Sequence, residues 1–138
     1  MWYPTQREAL DLDGFVIAED ISGHGHKRYA TINRDDIDSY VGPYNELIRV
    51  ESLCKLYFDL DGPPQADRVD EVIAVVNARL FEQYGVQGGN VLVLCSSDKT
   101  KYSKHLIFPY VFRNNWSHMR NFVMTIDHEL IDHSVYRV

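Results

Sequence analysis

Asp59 and Asp61 are the residues of this chain best placed to do chemistry. They lie in LCKLYFDLD, where Cys54, Leu56, Phe58 and Leu60 alternate with Lys55, Tyr57, Asp59 and Asp61. Period two is the mark of a strand with one apolar and one polar face, so both carboxylates leave the same face, about 7 Å apart along the chain. Two bare carboxylates at that spacing repel, and a divalent cation between them removes the cost. Oxygen ligands suit Mg²⁺ or Mn²⁺. Such pairs serve two-metal phosphoryl transfer, one ion activating the attacking oxygen and the other steadying the leaving group. The plainer alternative is a strand running into an Asp-Gly turn.

A second cluster lies in KYSKHLIFPY. Alternation puts Ser103, His105 and Ile107 on one face and Leu106 and Phe108 on the other. Lys101, one pleat earlier, is expected to point the same way, giving three donors in a row for phosphate oxygens. A Ser-His nucleophilic pair is disfavoured, because residues two apart on a strand point in parallel and lack the crossed geometry for deprotonation. A solvated polar face is the remaining alternative. Asp132 is a third carboxylate, on an expected final strand; if that strand pairs beside the Asp59 strand, three acids converge. His24 and His26, in GHGH, read as turn residues, with no companion ligands nearby. His118, His128 and His133 show no ligand-like grouping.

The elements that must position these groups can be read in order. Residues 14–20 and 27–33 alternate as strands around a glycine-rich turn. Residues 34–40 suggest a short helix, followed by a Gly-Pro turn and a strand near 46–50. After the Asp59 strand, Gly62-Pro63-Pro64 leads into a helix whose apolar residues Val69, Val72, Ile73, Val76 and Leu80 recur at helical spacing, with Gly85 placed to end it. NVLVLCSS, almost continuously apolar, predicts a strand covered on both sides. A second helix is predicted over 117–130, and residues 131–138 as a closing strand. The fold class is α+β: an antiparallel sheet with both helices on one face, leaving the other free for chemistry.

With 138 residues and 45% hydrophobic content, the chain is read as one folded domain, 1–138. No apolar run is long enough to span a bilayer, and the N-terminus has no signal-peptide character, so no membrane partner and an intracellular, non-secreted location are expected. Cys54 and Cys95 each sit in an apolar stretch and read as small core residues. A net charge of −6 argues against tight nonspecific nucleic-acid binding.

Taken together, CKLYFDLDG, SSDKTKYSKHLIF and IDHSVY, in this order, resemble motifs I, II and III of the archaeo-eukaryotic primase superfamily, and most of all the PrimPol enzymes of eukaryotes and large DNA viruses. The flanks resemble the family too, and the likeness runs from about Lys27 to the C-terminus. It implies a primase core with an RRM-like sheet plus an N-terminal αβ unit. It implies a template-dependent nucleotidyltransferase, a DNA primase and polymerase, at a cytoplasmic, nuclear or viral replication site. Asp59, Asp61 and Asp132 would hold the Mg²⁺ or Mn²⁺ ions; Ser103, His105 and Lys101 would hold the triphosphate. A basic residue on an upstream strand also reaches the nucleotide in the family; here it is Lys27 or Arg28, and alternation does not choose between them. Nucleoside triphosphates and a single-stranded or primed template would be the partners, with a helicase or C-terminal zinc module in the native context. The family continues past motif III into a further basic strand, whereas this sequence stops at Arg137-Val138. It is read as an excised or truncated core, or a minimal homologue. A non-catalytic nucleic-acid-binding module of the same fold and a metal-dependent nuclease are the competing functions.

Overall fold

Alternating β-branched and small residues build the first sheet. In the computed structural model, which describes residues 1–40, 42–114, 117–127 and 130, β1 (Trp2–Tyr3), α1 (Gln6–Leu10), β2 (Phe15–Asp20), β3 (Lys27–Ile32), a 3₁₀ turn (Arg34–Ser39) and β4 (Tyr44–Glu46) form one compact unit, Met1–Arg49. Its antiparallel sheet has the order β1-β3-β2-β4. The hairpin places Ile17 opposite Ala30 and Phe15 opposite Ile32, and this face packs with Trp2, Tyr40 and Tyr44. The other face meets α1, where the Thr31 hydroxyl donates to the Ala9 carbonyl at 2.6 Å. Thr5 and Glu8 close a capping box at the start of α1. The expected helix at 34–40 is thus a 3₁₀ turn. The strand expected near 46–50 lies earlier, at Tyr44–Glu46; the Leu47 N–H still bonds the Val16 carbonyl, and the Arg49 guanidinium bonds the carbonyls of Gly14 and Leu12.

The second unit begins at Val50. It contains β5 (Cys54–Gly62), a 3₁₀ turn (Pro64–Ala66), α2 (Val69–Tyr84), β6 (Leu92–Cys95), β7 (Tyr102–Phe112) and α3 (His118–Val123). The sheet order is β5-β7-β6, with β7 central and both pairings antiparallel. Two strands joined through a helix are therefore split by the strand that follows them, one half of a ferredoxin-like arrangement. Cys54, Leu56 and Phe58 of β5 and Leu106, Phe108 and Phe112 of β7 are buried on one face. Both helices cover that face: Tyr84 of α2 and His118 and Phe122 of α3 all contact the Phe112 ring. The α+β class and the placement of the helices on one face follow the expectation.

Local chemistry sets the boundaries. Gly85 ends α2 in the left-handed region at φ 66°, where a side chain is strained. Gly62 lies under Tyr102, and a Cβ there would sit 2.7 Å from Cε1 of its ring. The register of β5 on β7 shifts between Lys55 and Tyr57, beside Pro109, which has no N–H to give the ladder.

Three expectations are corrected here. α3 is shorter than the predicted 117–130. The Thr125 hydroxyl bonds the Phe122 carbonyl at 2.6 Å, and Thr125 and Ile126 donate three residues back, so the last turn tightens and stops. Among the described residues β6 is not covered on both sides: Leu92 is 53% and Leu94 48% exposed, and this four-residue strand stands at the sheet edge with β7 as its partner. Cys54 is buried, but Cys95 shares that edge and is an exposed free thiol, its pKa held down mainly by a hydrogen bond to the Ser97 hydroxyl. The expected closing strand at 131–138, with Asp132 and His133, lies outside the described residues, as does His128. No helix among the described residues is long and apolar enough to cross a membrane.

The ring cluster around Phe112 should dominate the stability of this unit. Phe112→Ala is expected to cost about 3–5 kcal/mol in urea unfolding, against within about 0.5 kcal/mol for Leu94→Ala on the exposed edge. Comparable losses for the two would show that the helices are not held by this cluster.

Candidate functional site

The antiparallel register of β5 on β7 sets Asp59 opposite His105 and Asp61 opposite Ser103. The two motifs, more than forty residues apart in sequence, thus become neighbours on the face away from the helices. His105 Nε2 lies 3.1 Å from Asp59 Oδ1, and both side chains are 56% exposed. Such an open pair contributes about 0–1 kcal/mol, so a ligand can displace it at little cost. Asp61 is exposed at the next pleat. Burial, and then the negative charges of Asp67 and Asp61, push the neighbouring Tyr102 hydroxyl above its usual pKa.

Ser103 is more enclosed than its neighbours, at 8% exposure. Its N–H donates to the Ser97 hydroxyl at 2.9 Å, and its carbonyl accepts from the Ser96 N–H at 2.9 Å. These bonds clasp the 96–101 turn. Asp98 organises that turn, accepting from the Thr100 N–H, the Thr100 hydroxyl and the Lys101 N–H at 2.7, 2.6 and 3.0 Å. The Thr100 hydroxyl and then these backbone donors hold the Asp98 carboxyl below its usual range. Lys101 lies in the turn, one residue before β7, so strand alternation does not direct its exposed side chain; the turn does.

In the first unit, Arg28 stands opposite Glu19, is ion-paired to it, and lies 4.1 Å over the centre of the Trp2 ring. Lys27 is exposed at the end of β3. Of the two basic candidates, Arg28 already has partners within its own sheet. His24 and His26 sit in the β2–β3 turn, where their N–H groups donate to the Ser22 hydroxyl. Asp132 lies outside the described residues. Among those residues, no group of three or more His, Cys, Asp or Glu side chains gathers to hold a metal.

One contact was not foreseen. Lys104 Nζ bonds Asp67 Oδ2 at 2.7 Å, and Asp67 Oδ1 accepts the Val69 N–H at 3.2 Å at the start of α2. The clamp ties the helix entry to β7, on the strand that carries His105. Its only signal in the sequence is an Asp just before a helical period.

The site is an acidic pair beside a serine and a histidine, a combination that suits cations and phosphates on an open sheet face. Comparison with known proteins agrees in kind. The chain is 41% identical over 93 residues to the DNA-directed primase/polymerase protein of Gallus gallus, covering 59% of this chain and 16% of that protein. It is 36% identical to the protein of the same name from Danio rerio over an alignment of 153 residues, covering 91% of this chain and 29% of that one. For the Homo sapiens protein of that name the identity is 38% over 99 residues, covering 63% and 18%. No family model matches. The chain is PrimPol-like: it is homologous to part of the DNA-directed primase/polymerase proteins, and it spans less than a third of the length of these relatives.

The Asp67 carboxyl is held below its ordinary value of 3.8, first by the Lys104 hydrogen bond and then by the Val69 N–H. Lys104 is raised above 10.5 by the same contact. A depressed carboxyl stabilises the fold above its unfolded value, and that contribution is lost as pH falls through the folded value. Asp67→Asn should therefore melt below wild type at neutral pH, and the deficit should close as pH drops below 3.8. Thermal melts across the acid range check this. A deficit that persists in acid would mean that the clamp acts through packing rather than charge.

Proposed function

We propose that this chain is the catalytic core of a primase-polymerase, joining nucleoside triphosphates to a primer 3′-hydroxyl on a nucleic-acid template. The observation that carries the reading is the pairing of Asp59 with His105 and of Asp61 with Ser103. It sets the acids proposed to bind cations within one strand spacing of the serine and histidine proposed to bind phosphate. The names of the homologous proteins support the same activity.

The donor set fits Mg²⁺ or Mn²⁺: two exposed carboxylates on one strand face, with no soft ligand beside them on that strand. Asp59 and Asp61 would hold the ions, with Asp132 assigned to them by the third motif. β5 has no partner on its outer edge among the described residues. In a fold of two interleaved βαβ units, that is the edge taken by a strand following the second helix. When bound, the ions would neutralise the phosphates and lower the pKa of the attacking hydroxyl.

The chain's own residues have separate tasks. His105 would offer a ring N–H to a phosphate oxygen. The Ser103 hydroxyl, on a backbone fixed by Ser96 and Ser97, offers a pre-positioned donor. Lys101, and Lys27 or Arg28, would add charge to the triphosphate. The net charge of −6 places the burden of template binding on the bound cations or on a further basic element. A helicase or zinc module in the native context would supply such an element.

Nucleotide incorporation on a primed template tests the reading. Wild type should extend the primer with Mg²⁺ or Mn²⁺ and stop when EDTA is added. Asp59→Asn should lower the rate by at least about 100-fold, the scale of losing one group that stabilises transition-state charge. Metal-dependent strand degradation would instead indicate a nuclease. Template binding with neither activity would indicate a non-catalytic module.

A further inference from the structure

The open face of the second sheet is graded along its strands. At one end Asp61 faces Ser103, with Ser96 hydrogen-bonded beyond. One pleat on, Asp59, His105 and Leu94 stand in line across the three strands. One further pleat brings Tyr57, Ile107 and Leu92 into line. The rows are about 7 Å apart, and each crosses three strands over about 10 Å. Polarity therefore falls from hydroxyl and carboxylate to wholly apolar within three steps.

The last row belongs to the sheet face opposite the buried core of the described residues. Ile107 and Leu92 point away from the helices, and Leu92 is about half exposed on an edge strand, where polar residues are usual. Tyr57 is the one aromatic on the aspartate face of β5.

We propose that the Tyr57–Ile107–Leu92 row is the platform for the base of the bound nucleotide. The nucleotide would lie along the strands, with its phosphates toward Asp61 and Ser103. The proposal rests on the nucleotide-binding reading above and adds its orientation and a base contact. Two features favour a nucleoside over another apolar partner. The row is continuous with the phosphate-directed groups at a one-pleat step, the separation of a nucleotide's phosphate from its base. Its width matches a planar ring system.

The test separates base from phosphate by measuring affinity for ATP, dATP and inorganic tripolyphosphate with Mn²⁺, by calorimetry. Tyr57→Ala should weaken nucleotide binding roughly 5- to 100-fold, the range of one base stacked on an aromatic ring. It should leave tripolyphosphate affinity unchanged, and Tyr57→Phe should bind as wild type. Leu92→Ser, on the exposed edge, gives the same readout should Tyr57→Ala not fold. Equal losses for nucleotide and tripolyphosphate, or none for either, would overturn the platform. A wild type that binds tripolyphosphate as tightly as ATP would overturn the platform alone and leave the phosphate site standing. A wild type that binds neither would overturn the nucleotide reading and the platform with it.

Discussion

The register between β5 and β7 is the constraint on which the site depends. Side chains alternate strictly across a sheet, so a slip of one residue would send either motif to the other face. What prevents the slip is the packing beneath. Leu56, Phe58, Leu106 and Phe108 are all at or near full burial, and Phe58 meets Phe108 edge-on at 5.7 Å between ring centres. Moving any of them into water forfeits about 1.5–3 kcal/mol of burial per side chain. The exposed polar face is thus held in line by the apolar one. The irregular stretch near Pro109 lies beyond Tyr57, so the ladder from Tyr57 to Gly62 stays regular where the acids stand.

Electrostatics divides the same way between the faces. The Asp59–His105 pair is open to water and weak, as the proposed exchange of partners requires. The Asp67–Lys104 pair, anchored by a helix N–H as well as by an ammonium, moves the pKa of both partners and fixes where α2 begins. Adjacent residues of β7, Lys104 and His105, therefore serve opposite purposes. One is tied down to hold the scaffold, and the other is left available.

Much of this was legible in the sequence, for reasons that can be named. The Asp59 strand, the hairpin of β2 and β3, α2 and its Gly85 stop all follow from clean periods and an unambiguous cap. The likeness of the three motifs to PrimPol was legible because flanking residues repeat with them. What failed depended on partners rather than pattern. An apolar run such as VLVLC reads the same in a central strand as at an edge, and only the sheet order reveals that Leu92, Leu94 and Cys95 lie at the margin. The end of α3 turned on the Thr125 hydroxyl choosing a backbone carbonyl, which composition does not announce. Lys101 stands one residue outside β7, so its direction comes from the turn that Asp98 builds rather than from strand alternation.

The marginal position of β6 also bears on why an apolar surface can persist there. Long, flat, apolar edges invite pairing with other chains, and proteins restrain them by keeping them short. β6 has four residues and is closed at its end by the Ser96 and Ser97 bonds to Ser103. The same serines that limit the edge therefore hold the backbone of the proposed phosphate donor. Because one set of hydrogen bonds ends the strand and positions Ser103, loosening the turn would unsettle the phosphate end of the face and lengthen the exposed edge together.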